Sequence, residues 1–340
     1  MPEQYSTSNN RFYTALLFFA SLVFCFLFIE ILLRAIDFNY QLYPARVEFG
    51  WPNPVVIEKE FEIDREMLWL PKGYDDRMAK LYGTRPSIVY MGDSCTAWGA
   101  YDQALKQRIV EKHPNGSFSF INVGVGGWSS FQGLKQMERD VVRINPKVVT
   151  IYYGWNDHWA SFGIEDKNVA HFNEKNPWSV HLSDFRLTQL ANFFSIKMYY
   201  TPDTPRRAKR VSQEDFRRNL TAIVRCARDS GIIPVLLTAP TSHTEGDEPA
   251  YLASRWLNDL SDLVPLHREY VNTVRRVAHD NDVLLLDLFE IFQRLSPDEV
   301  KTQFFVADGI HLTSKGSTVV AHLLYRFLET NALIELLVTR

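Results

Sequence analysis

Apolar residues fill positions 12–33 almost without interruption; Thr14, Ser21 and Glu30 are the exceptions. As a helix rising 1.5 Å per residue, this stretch spans roughly 30 Å, about one bilayer hydrocarbon core. It is too long for a signal-peptide core, and no small-x-small cleavage pattern follows it. An uncleaved transmembrane anchor over 12–36, after a short tail at 1–11, is therefore expected. Arg11 and the terminal amine flank one end and Arg34 and Arg46 the other, so basic residues do not orient the span. From 37 to 86 the periodicity lapses into Pro, Trp, Tyr and mixed charge, the pattern of a stalk and strap. Within it, 61–64 and 67–71 alternate like short edge strands.

Beyond Pro86 the pattern becomes strand, helix, strand, helix. Strand-length apolar runs fall at 88–91, 118–123, 148–153, 233–238 and 283–288; helical patterns fall at 101–112, 131–144, 213–229, 267–280 and 314–328. Strands separated by helix-length segments must pair in parallel through crossovers. The expected fold class is α/β: a three-layer α/β/α sandwich with a mainly parallel, five-stranded, flavodoxin-like sheet over 87–330, with a tail at 331–340. Ser212 before Glu214 and Asp215 predicts an N-cap with dipole-matched acids, and Gly231 a helix stop. Two insertions, 159–211 and 241–265, leave the carboxyl ends of the third and fourth strands, where binding loops and lids sit. The first carries Phe162, Phe172, Trp178, Phe185, Phe193, Phe194, Tyr199 and Tyr200, enough for a minor core or an apolar wall. It closes with the basic run Arg206, Arg207, Lys209 and Arg210, which reads as a solvated face or a contact for lipid headgroups or an anionic substrate.

Composition narrows the classes. At 340 residues the chain can bury one large core, and 37 basic against 40 acidic side chains give no general attraction to nucleic acid. Three cysteines, Cys25, Cys95 and Cys226, make no disulfide framework and match no zinc spacing, so no metal and no cofactor is expected.

The chemistry gathers at predicted strand ends. Ile88-Val89-Tyr90-Met91 stops at Gly92-Asp93-Ser94, placing a serine between a strand and a helix start, where open α/β sheets keep their sites. Taken alone, Gly-x-Ser reads as a capped helix start. After the second strand comes Asn122-Val123-Gly124-Val125-Gly126-Gly127, a turn able to point backbone N–H groups inward. After the third comes Gly154-Trp155-Asn156-Asp157-His158, in which Asn156 can offer an amide N–H. Near the end comes Asp308-Gly309-Ile310-His311, an acid placed to reach an imidazole one turn away.

These four blocks, in this order and each after a predicted strand, resemble the SGNH hydrolases, also called GDSL esterases, over residues 87–328. The family's leucine after the serine is Cys95 here, a position that is not catalytic in the family; a thiol at a helix start could rival the serine, but a residue beside the nucleophile is expected to point into the core. The resemblance implies a serine esterase in which Ser94 attacks, His311 is the base and Asp308 orients it. It also implies three oxyanion donors: the Ser94 N–H, a glycine N–H and the Asn156 side chain. Aligning Asn122 with the family's asparagine puts that glycine at Gly127, with Gly126 the alternative. Gly126, Trp155 and His158 are expected near the substrate, and Asp93 and Asp157 as carboxylates that cap backbone N–H groups. The implied substrate is a small-molecule, lipid or glycan ester; similar anchored members suggest a bacterial inner membrane with the catalytic domain periplasmic or extracellular. An acyltransferase using the same site, or a membrane-anchored binding protein without catalysis, are the alternatives.

Overall fold

The computed structural model describes residues 6–40, 48–49, 55–56, 61–161, 163–199, 206–253 and 256–338. Arg46, Phe162 and Tyr200, part of the anchor and insertion readings, lie outside the described residues, as do residues 1–5 of the expected tail and much of the stalk. Two antiparallel pairs come first: β1 (Glu48–Phe49) with β2 (Val55–Val56), and β3 (Phe61–Asp64) with β4 (Leu68–Pro71). The main sheet then holds β5 (Ile88–Gly92), β6 (Phe120–Asn122), β7 (Val148–Tyr152), β8 (Ile233–Leu237) and β9 (Leu284–Leu286). Its order is β6-β5-β7-β8-β9 and every neighbouring pair is parallel.

The sheet is buried on both faces because helices cover both, and side chains alternate between two cores. Val89, Met91, Val149, Ile151 and Leu236 enter one core with the helices at 130–144 and Gln213–Asp229. Ile88, Tyr90, Val148, Val235 and Leu237 enter the other with Tyr101–Lys112 and Ser314–Thr330. Each buried aliphatic of this kind contributes about 1.5–3 kcal/mol. The strand order makes the chain step from β5 out to β6 and then back across to β7. Their carboxyl ends therefore flank the point where the winding reverses, and loops on either side leave a crevice there. Gly92 is opposite Tyr152 in the register, so the turns after β5 and β7 open side by side.

The helix signals hold. Ser212 Oγ accepts the Asp215 N–H at 3.2 Å, and Gly231 takes φ +72° just past the last turn. Differences lie at the ends of elements. β9 is cut to three residues because Asp287 accepts the Glu290 N–H at 3.1 Å and starts a helix, Leu288–Gln293. The 131–144 helix contains a π-helical stretch, Met137–Val141, in which Asp140 is buried and receives the Tyr74 and Tyr82 hydroxyls at 3.0 and 2.7 Å. Those tyrosines belong to the strap, whose Met67, Leu68, Trp69 and Leu70 are also buried in the first core. The expected tail after residue 330 instead carries a helix, Leu333–Val338, because Leu333, Ile334 and Leu337 fall on one face and bury in the second core.

At the other end of the chain a single helix, Ser6–Ala35, contains a 25-residue apolar span, Arg11–Ala35, with a mean hydropathy of 2.8 in its most apolar window. Most of its side chains are exposed. Its last turns are tied to the first insertion, whose described residues form three helices, Asp166–Lys175, Pro177–His181 and Arg186–Tyr199.

Candidate active site

Gly92 ends β5 because no side chain fits: a Cβ there would meet Thr96 Oγ1 at 2.2 Å and the Tyr152 carbonyl at 2.6 Å. Asp93 follows as N-cap of a one-turn helix, Ser94–Ala97, its Oδ1 accepting the Cys95 N–H at 2.9 Å. Ser94 is thus the first residue of a helical turn, at the mouth of the β5/β7 crevice and partly exposed.

The Asp308–His311 loop reaches it from beyond β9. A turn closes from the Gly309 N–H to the Val306 carbonyl at 2.9 Å, with Gly309 at φ +71°. A side chain at 309 would meet His243 Cε1 at 2.5 Å, so this position requires glycine on two grounds. Asp308 Oδ1 accepts the N–H groups of Ile310 and His311, both at 2.9 Å, which leaves Oδ2 for the imidazole. His311 Nδ1 lies 2.6 Å from Asp308 Oδ2, and His311 Nε2 lies 2.8 Å from Ser94 Oγ. An ionised carboxylate only accepts, so Nδ1 carries the proton and Nε2 presents a lone pair to the serine hydroxyl. Burial alone would raise the Asp308 carboxyl, but the hydrogen bond and charge of His311 and the two N–H donors outweigh it and hold it below the usual range.

Asn156 comes to the same place from the turn after β7, its Nδ2 donating to Asp93 Oδ2 at 3.2 Å. That acceptor fixes which end of the amide faces Asp93 and leaves the second N–H of the group free to donate. Burial pushes the Asp93 carboxyl up to about 6 against its hydrogen bonds from Cys95 and Asn156 and the charge of His311. The glycine turn is locked separately. Asn122 Nδ2 donates to the Thr96 carbonyl at 2.8 Å, and Asn122 Oδ1 accepts the Gly124 N–H at 3.0 Å. Gly127 takes φ +79°, and among the described residues no acceptor takes its N–H. Gly126 is kept bare by Trp98, whose ring would lie 2.2 Å from a Cβ.

Sequence patterning missed several supports. The basic run reads as an outward face, yet Arg210 is buried. It pairs with Asp166 through Nε at 3.2 Å and Nη2 at 2.8 Å, while its Nη1 donates to the Gly127 carbonyl at 2.6 Å. Trp69 of the strap packs behind Gly127 and under the Arg210 guanidinium, 5.2 Å from its ring centre. Trp98, 38 % exposed, stands 6.4 Å from the His311 ring and forms part of the mouth. No local signal links Arg210 or Trp69 to the glycine turn, because 83 and 58 residues separate them.

The expectations for Trp155 and His158 are corrected. Trp155 and His158 are buried in packing rather than facing the serine. The Trp155 ring stacks on His267 at 3.9 Å, and His158 Nε2 meets His267 Nδ1 at 3.2 Å. Trp at the end of an all-buried strand gains more from that stack than from a wet crevice. Cys95 points into the second core, and burial pushes its thiol well up, away from the reactive thiolate. Asp157 caps as expected, Oδ1 accepting the Ser130 N–H at 2.9 Å.

The buried histidines carry a pH dependence. Burial lowers His243 to about 4 and His267 to about 3. A histidine with a depressed folded value stabilises the fold fully above its unfolded value of about 6.5 and loses that contribution as pH falls. Burial raises Asp93 to about 6 and Asp157 to about 7, which works in the opposite direction. A difference measurement cancels the acids. Between pH 6.5 and 4, the unfolding free energy of the native chain falls faster than that of His267→Gln by about 1.4 kcal/mol per pH unit at most. Urea melts in detergent micelles across that range check it; parallel curves would exclude a buried neutral His267.

The doubly wound sheet makes this an α/β/α protein, with a serine, an imidazole and a carboxylate in hydrogen-bonded series at its reversal point. The chain belongs to the GDSL-like Lipase/Acylhydrolase family, whose profile matches residues 90–319, and is an ester-hydrolysing enzyme. It is 23 % identical over 266 residues to the "Uncharacterized lipoprotein YqeF" of Bacillus subtilis (strain 168), covering 73 % of this chain and 87 % of that protein. It is 24 % identical over 239 residues to the "Isoamyl acetate-hydrolyzing esterase 1 homolog" of Mus musculus, covering 68 % and 77 %. Among solved structures it is similar to the acetyl xylan esterase AlAXEase, with TM-score 0.46 and 19 % identity, covering 70 % of this chain and 98 % of that one.

Proposed function

We propose that this chain is a membrane-anchored serine esterase that cleaves an acyl or acetyl ester of a lipid or glycan. The observation that carries the reading is the unbroken series Ser94 Oγ, His311 Nε2, His311 Nδ1, Asp308 Oδ2, at 2.8 and 2.6 Å. His311 takes the hydroxyl proton as Ser94 Oγ bonds to the ester carbonyl carbon, and returns it to the leaving alcohol as the C–O bond breaks. Water then enters by the same base and releases the acid. Asp308 holds the imidazole tautomer and offsets the imidazolium charge. The Ser94 N–H, the Gly127 N–H and the free N–H of Asn156 receive the oxyanion. The name of the mouse relative, an acetate-ester hydrolase, supports a small acyl group.

The last turns of the apolar helix support an anchor that stays attached. Glu30 Oε1 accepts the Arg186 N–H at 3.1 Å and Oε2 the Leu187 N–H at 3.0 Å, capping a helix of the catalytic domain. A cleaved leader would leave those two donors without their acceptor. The matching protein of Bacillus subtilis is named a lipoprotein, which supports a domain held at a membrane.

A fluorophosphonate probe tests the core of this reading: it labels Ser94 in the native chain, and labelling elsewhere or none refutes it. The oxyanion assignment has its own test. Asn156→Ala lowers kcat by about 10²–10³-fold, with KM little changed, because the donor acts on charge that develops only in the transition state. Steady-state kinetics on p-nitrophenyl acetate decide it; an unchanged kcat removes Asn156 from the hole.

A further inference from the structure

The helix Arg186–Tyr199 puts polar residues at most of its buried positions and apolar ones at most of its exposed positions, with Leu187, Leu190 and Phe193 half-buried between. Its inward positions Thr188, Gln189 and Asn192 are polar and buried, with Ile196 the apolar one among them. Its outward positions Ala191, Phe194 and Met198, spaced i, i+3 and i+7, are apolar and share one face. Phe194 is 57 % exposed, Met198 72 % and Tyr199 76 %, and Trp178 on the preceding helix is 57 % exposed. Buried Gln189 is satisfied, its Nε2 donating to the Ser183 carbonyl at 2.9 Å and its Oε1 accepting the Tyr40 N–H at 3.1 Å. The inverted face is therefore the packed state of the helix and not a misplaced register.

What covers that face follows from what the helix is fastened to. Glu30 caps its start, Arg34 Nη2 donates to the Asp184 carbonyl at 3.1 Å, and the Phe26 and Phe185 rings meet at 5.7 Å. From Arg11 to Glu30 the apolar span rises about 30 Å, so Glu30 marks the end of one hydrocarbon thickness. Phe185, touching the span one turn deeper than Glu30, lies at the depth of the acyl chains' outer ends. We propose that the insertion helices form a second membrane contact, an interfacial platform that presses Trp178, Phe194, Met198 and Tyr199 into the same leaflet that the span leaves. Trp and Tyr suit the headgroup level, and exposed Lys175 can extend its charged end to phosphates. The platform rests on the anchor reading above and extends it: the domain lies against the bilayer instead of swinging on a tether, and Ser94 is held at a fixed height above the lipid.

The full chain in phosphatidylcholine nanodiscs tests this, with Cys25→Ser and Cys226→Ser and an environment-sensitive NBD label on Met198→Cys. Doxyl-labelled phosphatidylcholine is expected to quench the label at 198, with blue-shifted emission, while a label on Glu111→Cys stays water-exposed. A label on Leu22→Cys separates the two readings. Quenching at 22 without quenching at 198 overturns the platform and leaves the anchor. Absence of quenching at both overturns both. A blue shift at 198 that grows with protein per disc, without lipid quenching, assigns the face to a second copy and also overturns the proposal.

Discussion

Ser94→Ala lowers kcat/KM for p-nitrophenyl acetate by roughly 10⁴–10⁶-fold while leaving the far-ultraviolet circular dichroism and melting point near native. The size follows from removing the one atom that can bond to the carbonyl carbon; what remains over the uncatalysed rate comes from binding and the oxyanion donors. Folding is spared because Ser94 is partly exposed and the Ser94–Ala97 turn is capped by Asp93, not by Ser94. His311→Ala is expected to fall to the same level, and the double variant no further, since the two act as one unit. A variant retaining a tenth of native activity would mean that another nucleophile operates.

Asp308→Asn carries the second large effect, roughly a 10⁴-fold loss in kcat. An asparagine can offer its amide N–H to His311 Nδ1, which forces the proton onto Nε2. The imidazole then donates toward Ser94 Oγ, 2.8 Å away, and cannot accept its proton. The Ile310 and His311 N–H groups keep an oxygen acceptor in asparagine, so the loop should hold its shape. Asp308→Ala instead leaves those N–H groups unpaired, and should lose both activity and stability. Comparing melting points of the two separates tautomer control from loop support. Equal stability with equal activity loss would deny Asp308 its bracing role.

Much of this was legible in the chain. Strand-length, mostly apolar runs at 88, 148 and 233, separated by helix-length segments, made a parallel sheet covered by helices on both faces readable. The glycine turn, the serine and the asparagine stand directly after strand runs, and the acid–histidine pair follows the last strand after intervening helix, so their place at one sheet edge was also readable. What could not be read is which face or depth a residue takes once a turn has been made. Trp155 and His158 sit one residue to either side of the Asn156–Asp157 pair, yet they turn into the core because a short helix, Trp155–His158, rotates each successive side chain by about 100°. Arg210 stands in a basic run that looks solvated, and only the fold brings Asp166 and the Gly127 carbonyl within reach of its guanidinium.

By itself the sequence determined the sheet, the anchor-length apolar helix and the four blocks that carry the site residues, because these depend on period and backbone permission over a few residues. Tertiary structure decided the rest. It set the 2.8 Å contact that brings His311 to Ser94, the buried Arg210–Asp166 pair behind Gly127, and the Glu30 cap that joins the apolar helix to the insertion. Each of these joins residues tens to hundreds of positions apart, and hydrogen bonds of that kind carry no local pattern: they exist only where the packing of two cores brings the partners together.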